Sequence, residues 1–448
     1  MLVLLVLNLN TGIDMGLIIG IGDTKPVFPY DHCYGIEWDV TVSNPEIKRI
    51  GKLELHRELP IQNKMYRVIL NDAGKEVYRL HPNDSTKRDN GAKANLDGTD
   101  GQVMVNLPKF YYRVEMEGNI RRLLISEYPL PGFKLSPECY ESAFEASLNR
   151  KDNKLSSVVN TTADYRGGNN NADWDEADNT LLGRPATNVS QTSFRTYANN
   201  RGGDWYQELY HVYKKWFWLY FIEYAHFNCQ LAFNPEPTAE GFKQGGLGEG
   251  VTTLSDSGWS SFSRYNPFIP CGHTNSLGNK TGVVTFDMPE SYGSKLAVEV
   301  PSYRGIENPF GHIWAWTDGC KMFANSAEDG GESLFYVADD PKNSNSSSTI
   351  DGYTLRGSLS RETGYIKELV LGEYADIMPL SVGGGSTTYH CDRFYTNAET
   401  SHGLRGVLFG GYAYYGSTAG LACSYTTYAP SYAHAFIGSR LCFYKGVE

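Results

Sequence analysis

At 448 residues the chain is long enough for about two or three domains and for a sizeable buried core, and two domains are expected. A formal net charge of -11, with no stripe of Lys or Arg to interrupt it, opposes phosphate backbones and excludes nucleic acid, leaving a glycan or a protein as the expected partner. The 31 Tyr and 47 Gly beside only 20% charged residues favour many short strands and loops over long amphipathic helices, as in extracellular or virion proteins.

The N-terminal segment 1–24 is largely apolar. Residues 1–7 lack a basic flank and a cleavage site, and they are too few to span a bilayer. A second apolar run, 16–21, follows Met15, which leaves two starts open, Met1 and Met15. The eight Cys (33, 139, 229, 271, 320, 391, 423 and 442) show no CxxC and no metal-ligand spacing, so buried thiols are expected, with at most one or two bridged pairs.

Residues 25–104 alternate polar and apolar side chains between turns such as Asn71-Asp72-Ala73-Gly74, which predicts a small β-rich module for attachment or assembly. The charged stretch 84–101 reads as its exit loop. A second unit, 105–448, opens with strands around Val103-Met104-Val105 and Phe110-Tyr111-Tyr112. The Asn-, Asp- and Gly-rich stretch 160–200 has little apolar surface and is expected as a long surface excursion. Asp204 can then cap a helix over about 205–230, where Leu209, Val212, Trp216 and Leu219 recur at helical spacing. Its charged residues, Glu208, Lys214, Lys215 and Glu223 among them, exclude a membrane span, so a core helix is predicted. Residues 344–348 are read as another exposed loop.

Four motifs follow in order: Ile222-Glu223-Tyr224-Ala225, Gly311-His312-Ile313-Trp314-Ala315-Trp316, Val407-Leu408-Phe409-Gly410-Gly411 and Ile437-Gly438-Ser439-Arg440-Leu441. As a set they resemble the WEYA helix, GNVWEW segment, VLRGG strand and GFR strand of one branch of the C-type lectin fold. That branch is shared by formylglycine-generating enzymes (sulfatase-modifying factors) and by the variable proteins of diversity-generating retroelements. The resemblance covers roughly 105–445 and implies an α+β C-type lectin-like fold preceded by the small β-rich module. Trp314, Trp316, Gly410, Gly411 and Arg440 are its scaffold: paired Trp anchor a core, a Gly pair lets strands approach, and a late Arg pairs with a buried acid. Glu223 is the expected kind of partner for Arg440.

The segment from Ser302 to Phe310 and the tail from Ala429 to Arg440 resemble, more narrowly, retroelement-diversified proteins of gut phage and prophage. In that family error-prone copying at adenines rewrites AAY codons to NNY, which never encode Lys, Glu, Gln, Met or Trp. The window 404–443 contains none of the five. Restoring Asn at Tyr412, Tyr414, Tyr415, Thr418, Tyr425, Thr427, Tyr428, Tyr432, His434 and Phe436 gives a plausible template, which makes these the candidate variable, ligand-binding positions. Tyr432-Ala433-His434-Ala435-Phe436 and Tyr412-Ala413-Tyr414 alternate large and small residues with period two. Period two leaves either face open as the outer one; the resemblance and the density of Tyr select outward rings, which match an antibody paratope in composition.

Other chemistries are weighed on their residues. A formylglycine-type oxidase needs a Cys pair a few residues past Gly411, where this chain has Tyr415 and Gly420, with Cys423 the nearby thiol. A glycan depolymerase needs two carboxylates about 5–10 Å apart, for which Glu223, Glu307 and Asp318 are candidates, though each more often serves as a turn or ion-pair residue. Glu307-Asn308-Pro309 and Trp316-Thr317-Asp318 resemble calcium-lectin triplets only superficially. No cofactor and no metal ligands are expected; a structural Ca²⁺ is left open and not located. His390-Cys391-Asp392 and His32-Cys33 are too sparse for a metal site. The resemblance implies a non-enzymatic receptor-binding protein of a phage tail fibre, facing outward on the virion. It would meet a host-surface protein or glycan, join other tail proteins through its N-terminal module, and form a homo-oligomer, with a trimer the expected number. A bacterial surface adhesin or a static lectin of the same fold is the alternative.

Overall fold

The computed structural model describes residues 30–252, 254, 261–262, 267–289, 296–344 and 347–446. The apolar runs 1–7 and 16–21 and both candidate starts lie outside the described residues. The described chain is mostly β, with three α-helices: α1 (Leu53–Glu58), α2 (Gln191–Asn199) and α3 (Tyr210–Tyr224).

The strands fall into sheets that repeatedly join distant parts of the sequence. One antiparallel sheet runs in the order Lys48–Gly51, Tyr34–Asp39, Ile120–Ser126, Phe110–Glu117, Lys134–Ser136. A second runs Trp205–Gln207, Leu441–Phe443, Cys139–Ser142, Gln102–Leu107, Tyr66–Leu70, Glu76–His81, Asp84–Arg88. In the third large sheet Thr354–Ser358, Ser333–Val337, Trp314–Ala324, Gly403–Gly410, Gly420–Tyr425 and Arg393–Tyr395 are neighbours in turn, followed by Gly364–Leu371 and Asp376–Val382.

Strand pairing runs across position 104. Strand Gln102–Leu107 crosses that position with every residue buried, and it is bonded to Tyr66–Leu70 on one side and Cys139–Ser142 on the other. Strand Tyr34–Asp39 likewise takes Ile120–Ser126 as its partner. Residues 30–104 therefore share sheets and core with the rest of the chain. Turn signals mark where strands end, but they carry no information on which strands pair across a hundred residues or more. The presumed exit loop 84–101 also contributes the edge strand Asp84–Arg88.

Helix α3 is buried on nearly all sides, as its apolar pattern predicts. It packs on strands of separate sheets: Trp218 stacks on Trp38 at 5.9 Å, Tyr213 on Phe409 at 4.6 Å, and Tyr220 meets Tyr303, the end of strand Ala297–Tyr303, edge-on at 5.3 Å. Its bounds are tighter than the expected 205–230. Trp205–Gln207 is drawn into a strand by pairing with Leu441–Phe443, so Asp204 does not cap the helix. Ala225, at φ 52°, ends it in the left-handed conformation, its N–H donating to the Phe221 carbonyl at 2.9 Å.

The stretch 160–200 is not wholly a surface excursion. It contains α2, capped by the Ser190 side chain on the Ser193 N–H, with Phe194 and Ala198 buried, and Leu181 and Ala186 also reach the core. Arg195 hid this helix in the sequence: a buried guanidinium on its inner face is neutralised by Asp318, at 2.6 and 2.8 Å. In the expected loop 344–348, Ser344 is buried and donates to the Pro341 carbonyl at 2.6 Å. All eight Cys are buried, with no bridged pair among them.

Candidate ligand-binding surface

The third large sheet carries the scaffold residues to one place. Trp314 and Trp316 begin strand Trp314–Ala324, both buried, and Ala315 pairs with Phe409 of the neighbouring strand. Gly410 and Gly411 follow at φ 96° and 80°, and a Cβ on Gly411 would lie 2.7 Å from that of Ala419, so the turn leaving this strand closes only over glycine. Arg440 is buried; it lies 3.9 Å from Glu208 and donates to the Glu307 carbonyl. The expected Arg440–Glu223 pair does not form. Glu223 is held instead by Arg304, at 2.6 and 2.9 Å, and by the Tyr303 hydroxyl at 3.1 Å. Arg304 is nearer because it follows the strand that packs directly on the end of α3.

Around Trp314 the candidate variable residues gather into a closed circuit of rings. Tyr412 lies 4.4 Å from Phe436, Phe436 4.0 Å from His434, and His434 6.0 Å from Tyr432. Tyr432 stacks on Tyr428 at 3.9 Å, and Tyr428 lies 4.7 Å from Tyr425. Tyr395 closes the circuit, 5.8 Å from Tyr425 and 4.8 Å from Tyr415, which returns to Tyr412 at 4.5 Å. Trp314 meets Tyr395, Tyr415 and Tyr425 edge-on from below, at 5.5 to 6.4 Å. Such contacts add about 0.5–1.5 kcal/mol each beyond buried area.

Outside the circuit, Tyr414 stands 6.2 Å from Tyr412 and is 47% exposed. Thr418 accepts from the Tyr395 hydroxyl at 3.0 Å and donates to the Tyr415 carbonyl at 2.7 Å, while Thr427 is half-buried and stands apart from the rings. Tyr412 is buried and the remaining circuit members are half-buried, so the rings form a plate seated on the sheet rather than projecting from it. Ala413 and Ala435 point into the core. Segment 432–436 is not a strand; its three rings neighbour one another, Ala433 is half-buried like them, and Ala435 alone is buried. None of the hydroxyls of Tyr412, Tyr414, Tyr415, Tyr425, Tyr428 and Tyr432 is buried without a hydrogen-bond partner, in contrast to those of Tyr206 and Tyr220. Burial pushes the Tyr412 phenol up to about 12 and raises those of Tyr415 and Tyr428, so all three keep their protons near neutral pH. Burial also lowers the His434 pKa, favouring the neutral ring.

The loops that carry these rings are pinned by main-chain bonds from residues outside the ten candidate positions. Trp314 N–H donates to Phe436 O at 2.9 Å, Asn188 N–H to His434 O at 2.9 Å, and Gln191 N–H to Pro430 O at 3.1 Å. Gly406 N–H reaches Tyr428 O at 3.0 Å, and Ala413 N–H reaches His312 O at 3.1 Å. From beneath, buried Asp392 accepts from the Ala422 N–H at 2.7 Å. Asp392, in a run too sparse for a metal site, is a brace for strand Gly420–Tyr425. Tyr395 was missed altogether, because it lies outside 404–443, although Phe394 inward and Tyr395 outward show the strand alternation that could have found it.

The carboxylates weighed for glycan hydrolysis sit in separate structural networks. Glu223 pairs with Arg304, Asp318 with Arg195, and Glu307 accepts from Gly272 N–H, Thr274 N–H and the Thr274 hydroxyl. Burial drives the thiols of Cys423 and Cys442 well above their ordinary range, opposite to what thiolate ligation of copper requires. No helix among the described residues is long and apolar enough to cross a membrane.

No family model matches the chain, and no curated protein does. Among solved structures it is similar to the "Major Tropism Determinant U1 Variant" at 10% identity, covering 75% of this chain and 72% of that one, with a TM-score of 0.23. The M1 variant of the same determinant matches at 11% identity over 80% and 77%, also at 0.23. At that identity and TM-score neither fold nor function is carried over from these proteins.

Proposed function

We propose that the chain is a receptor-binding protein with a C-type lectin-like fold, and that the plate of rings around Trp314 is its ligand surface. The observation that carries this reading is the division of labour in the plate. The main chain is held by bonds from residues 188, 191, 312, 314 and 406, so side chains can change at the ten positions without loss of a main-chain contact. A surface diversified by a retroelement needs that property. Tyr supplies rigid area with a polar handle, and one or two central rings would each contribute about 2 kcal/mol or more to binding. The ligand is a host-surface protein or glycan, the setting is the outward face of a phage tail fibre, and other tail proteins engage the N-terminal part. Assembly as a trimer would turn weak single contacts into avidity. No catalytic role is assigned to the surface.

The test is a display library with the ten codons replaced by NNY, scored for protease resistance, beside a library that randomises Trp314, Trp316, Gly410, Gly411 and Arg440. The expected result is that most clones of the first library remain folded and few of the second do. Equal loss of folding in both would overturn the proposal.

A further inference from the structure

A second site is formed on α3, sharing no residue with the aromatic plate. His211, Lys214, Lys215 and Trp218 recur at i, i+3, i+4 and i+7, and this face lines a cavity of about 250 Å³. Phe110, Tyr112, Leu123 and Ile125, from the sheet opposite, make its other wall apolar.

The charges around it do not balance. Lys214 is 3.0 Å from Asp376, Arg356 is bonded to Asp339, and Lys134 at the edge is 2.6 Å from Glu373. Lys215, only 6% exposed, has no carboxylate within ion-pair distance among the described residues. Its ammonium donates to the carbonyls of Leu107 (3.2 Å) and Pro137 (2.5 Å) and lies 5.1 Å from the Phe110 ring centre. An ammonium has three donors, so one remains for the cavity. Burial holds the Lys215 pKa below the ordinary lysine value, against weaker opposing pulls from Cys139 and Glu138. His211 adds none: burial lowers it to about 4, and Nε2 bonds the Ala338 carbonyl at 2.7 Å.

We propose that this cavity binds a small amphipathic monocarboxylate, its carboxylate on Lys215 Nζ and its aryl or alkyl body against Phe110, Leu123, Ile125 and Trp218. One surplus cation in an apolar enclosure selects a monoanion with an apolar body over a phosphate, whose second charge would have no partner.

The experiment is titration calorimetry of the full chain with phenylacetate and octanoate, each beside its neutral amide. Saturable one-site binding of at least one carboxylate is expected, with its amide about tenfold weaker or worse, as for loss of a charge-assisted hydrogen bond. Lys215→Met should weaken carboxylate binding by a similar factor with an unchanged circular dichroism spectrum, and Tyr414→Ala should leave it unaltered. The proposal is overturned if neither carboxylate binds, if the amides bind equally well, or if folded Lys215→Met binds like the parent. Should Lys215→Met fail to fold, the comparison of carboxylate with amide on the parent chain still decides.

Discussion

Two aromatic residues of the same plate carry opposite energetic roles. Tyr414 is half in water, so Tyr414→Ala should change stability by no more than about 0.5 kcal/mol in a urea melt while weakening ligand capture. Trp314 is buried beneath three rings, and Trp314→Ala should cost about 3–5 kcal/mol in the same melt. If the two substitutions cost the same, the plate is ordinary core. A third residue makes a statement about pH. Glu208 is fully buried near Glu141, and burial raises its pKa well above the ordinary 4.5. For an acid raised in the folded state, the protonated form belongs to the fold. Its contribution is fully present below the ordinary value and is lost as pH rises through the folded one. Urea melts between about pH 5 and pH 9 should therefore show Glu208→Gln losing less stability with rising pH than the parent chain does. Parallel slopes would show that Glu208 does not govern this dependence.

At the scale of elements, the binding surface depends on strand Gly420–Tyr425 lying flat over Asp392. A Cβ at Gly420 would come within 2.1 Å of the Asp392 carboxylate, so Gly420→Ala should destabilise the chain by about 1–3 kcal/mol, read from its denaturation midpoint. An unchanged midpoint would mean the brace is dispensable. The sequence made some of these elements legible and concealed others for identifiable reasons. The spacing of Val212, Trp216 and Leu219 revealed α3 because they fall on one helical face in a run dense in apolar side chains. Its first turn was misplaced because Trp205–Gln207 is fixed by a strand more than two hundred residues away. Tyr432, His434 and Phe436 neighbour one another outside any strand, and of the two Ala between them only Ala435 is buried. The alternation of Phe394 and Tyr395 marks which face Tyr395 takes, but its parallel pairing with Tyr425, thirty residues on, has no local signal.

At the scale of the whole molecule, the pairing of strands 34–39 and 66–70 with strands beyond residue 102 makes the described chain one interdependent fold. A chain cut to 105–448 would lose half of strand Gln102–Leu107 together with its partner Tyr66–Leu70, and would expose the buried edge that remains. It should show no cooperative thermal transition by circular dichroism; a sharp transition would restore the two-domain division expected from sequence. The frame around the plate matters for the same reason, since a surface can vary freely only where the rest of the molecule holds its main chain. The most direct test of that claim is deep sequencing of the 3′ end of the gene in a propagated population, with the adjacent DNA read for a near-copy carrying AAY codons. The account predicts substitutions concentrated at the codons for 412, 414, 415, 418, 425, 427, 428, 432, 434 and 436, with Trp314, Gly410 and Gly411 invariant. An invariant 3′ end with no template beside it, or variation scattered equally over plate and scaffold, would contradict it.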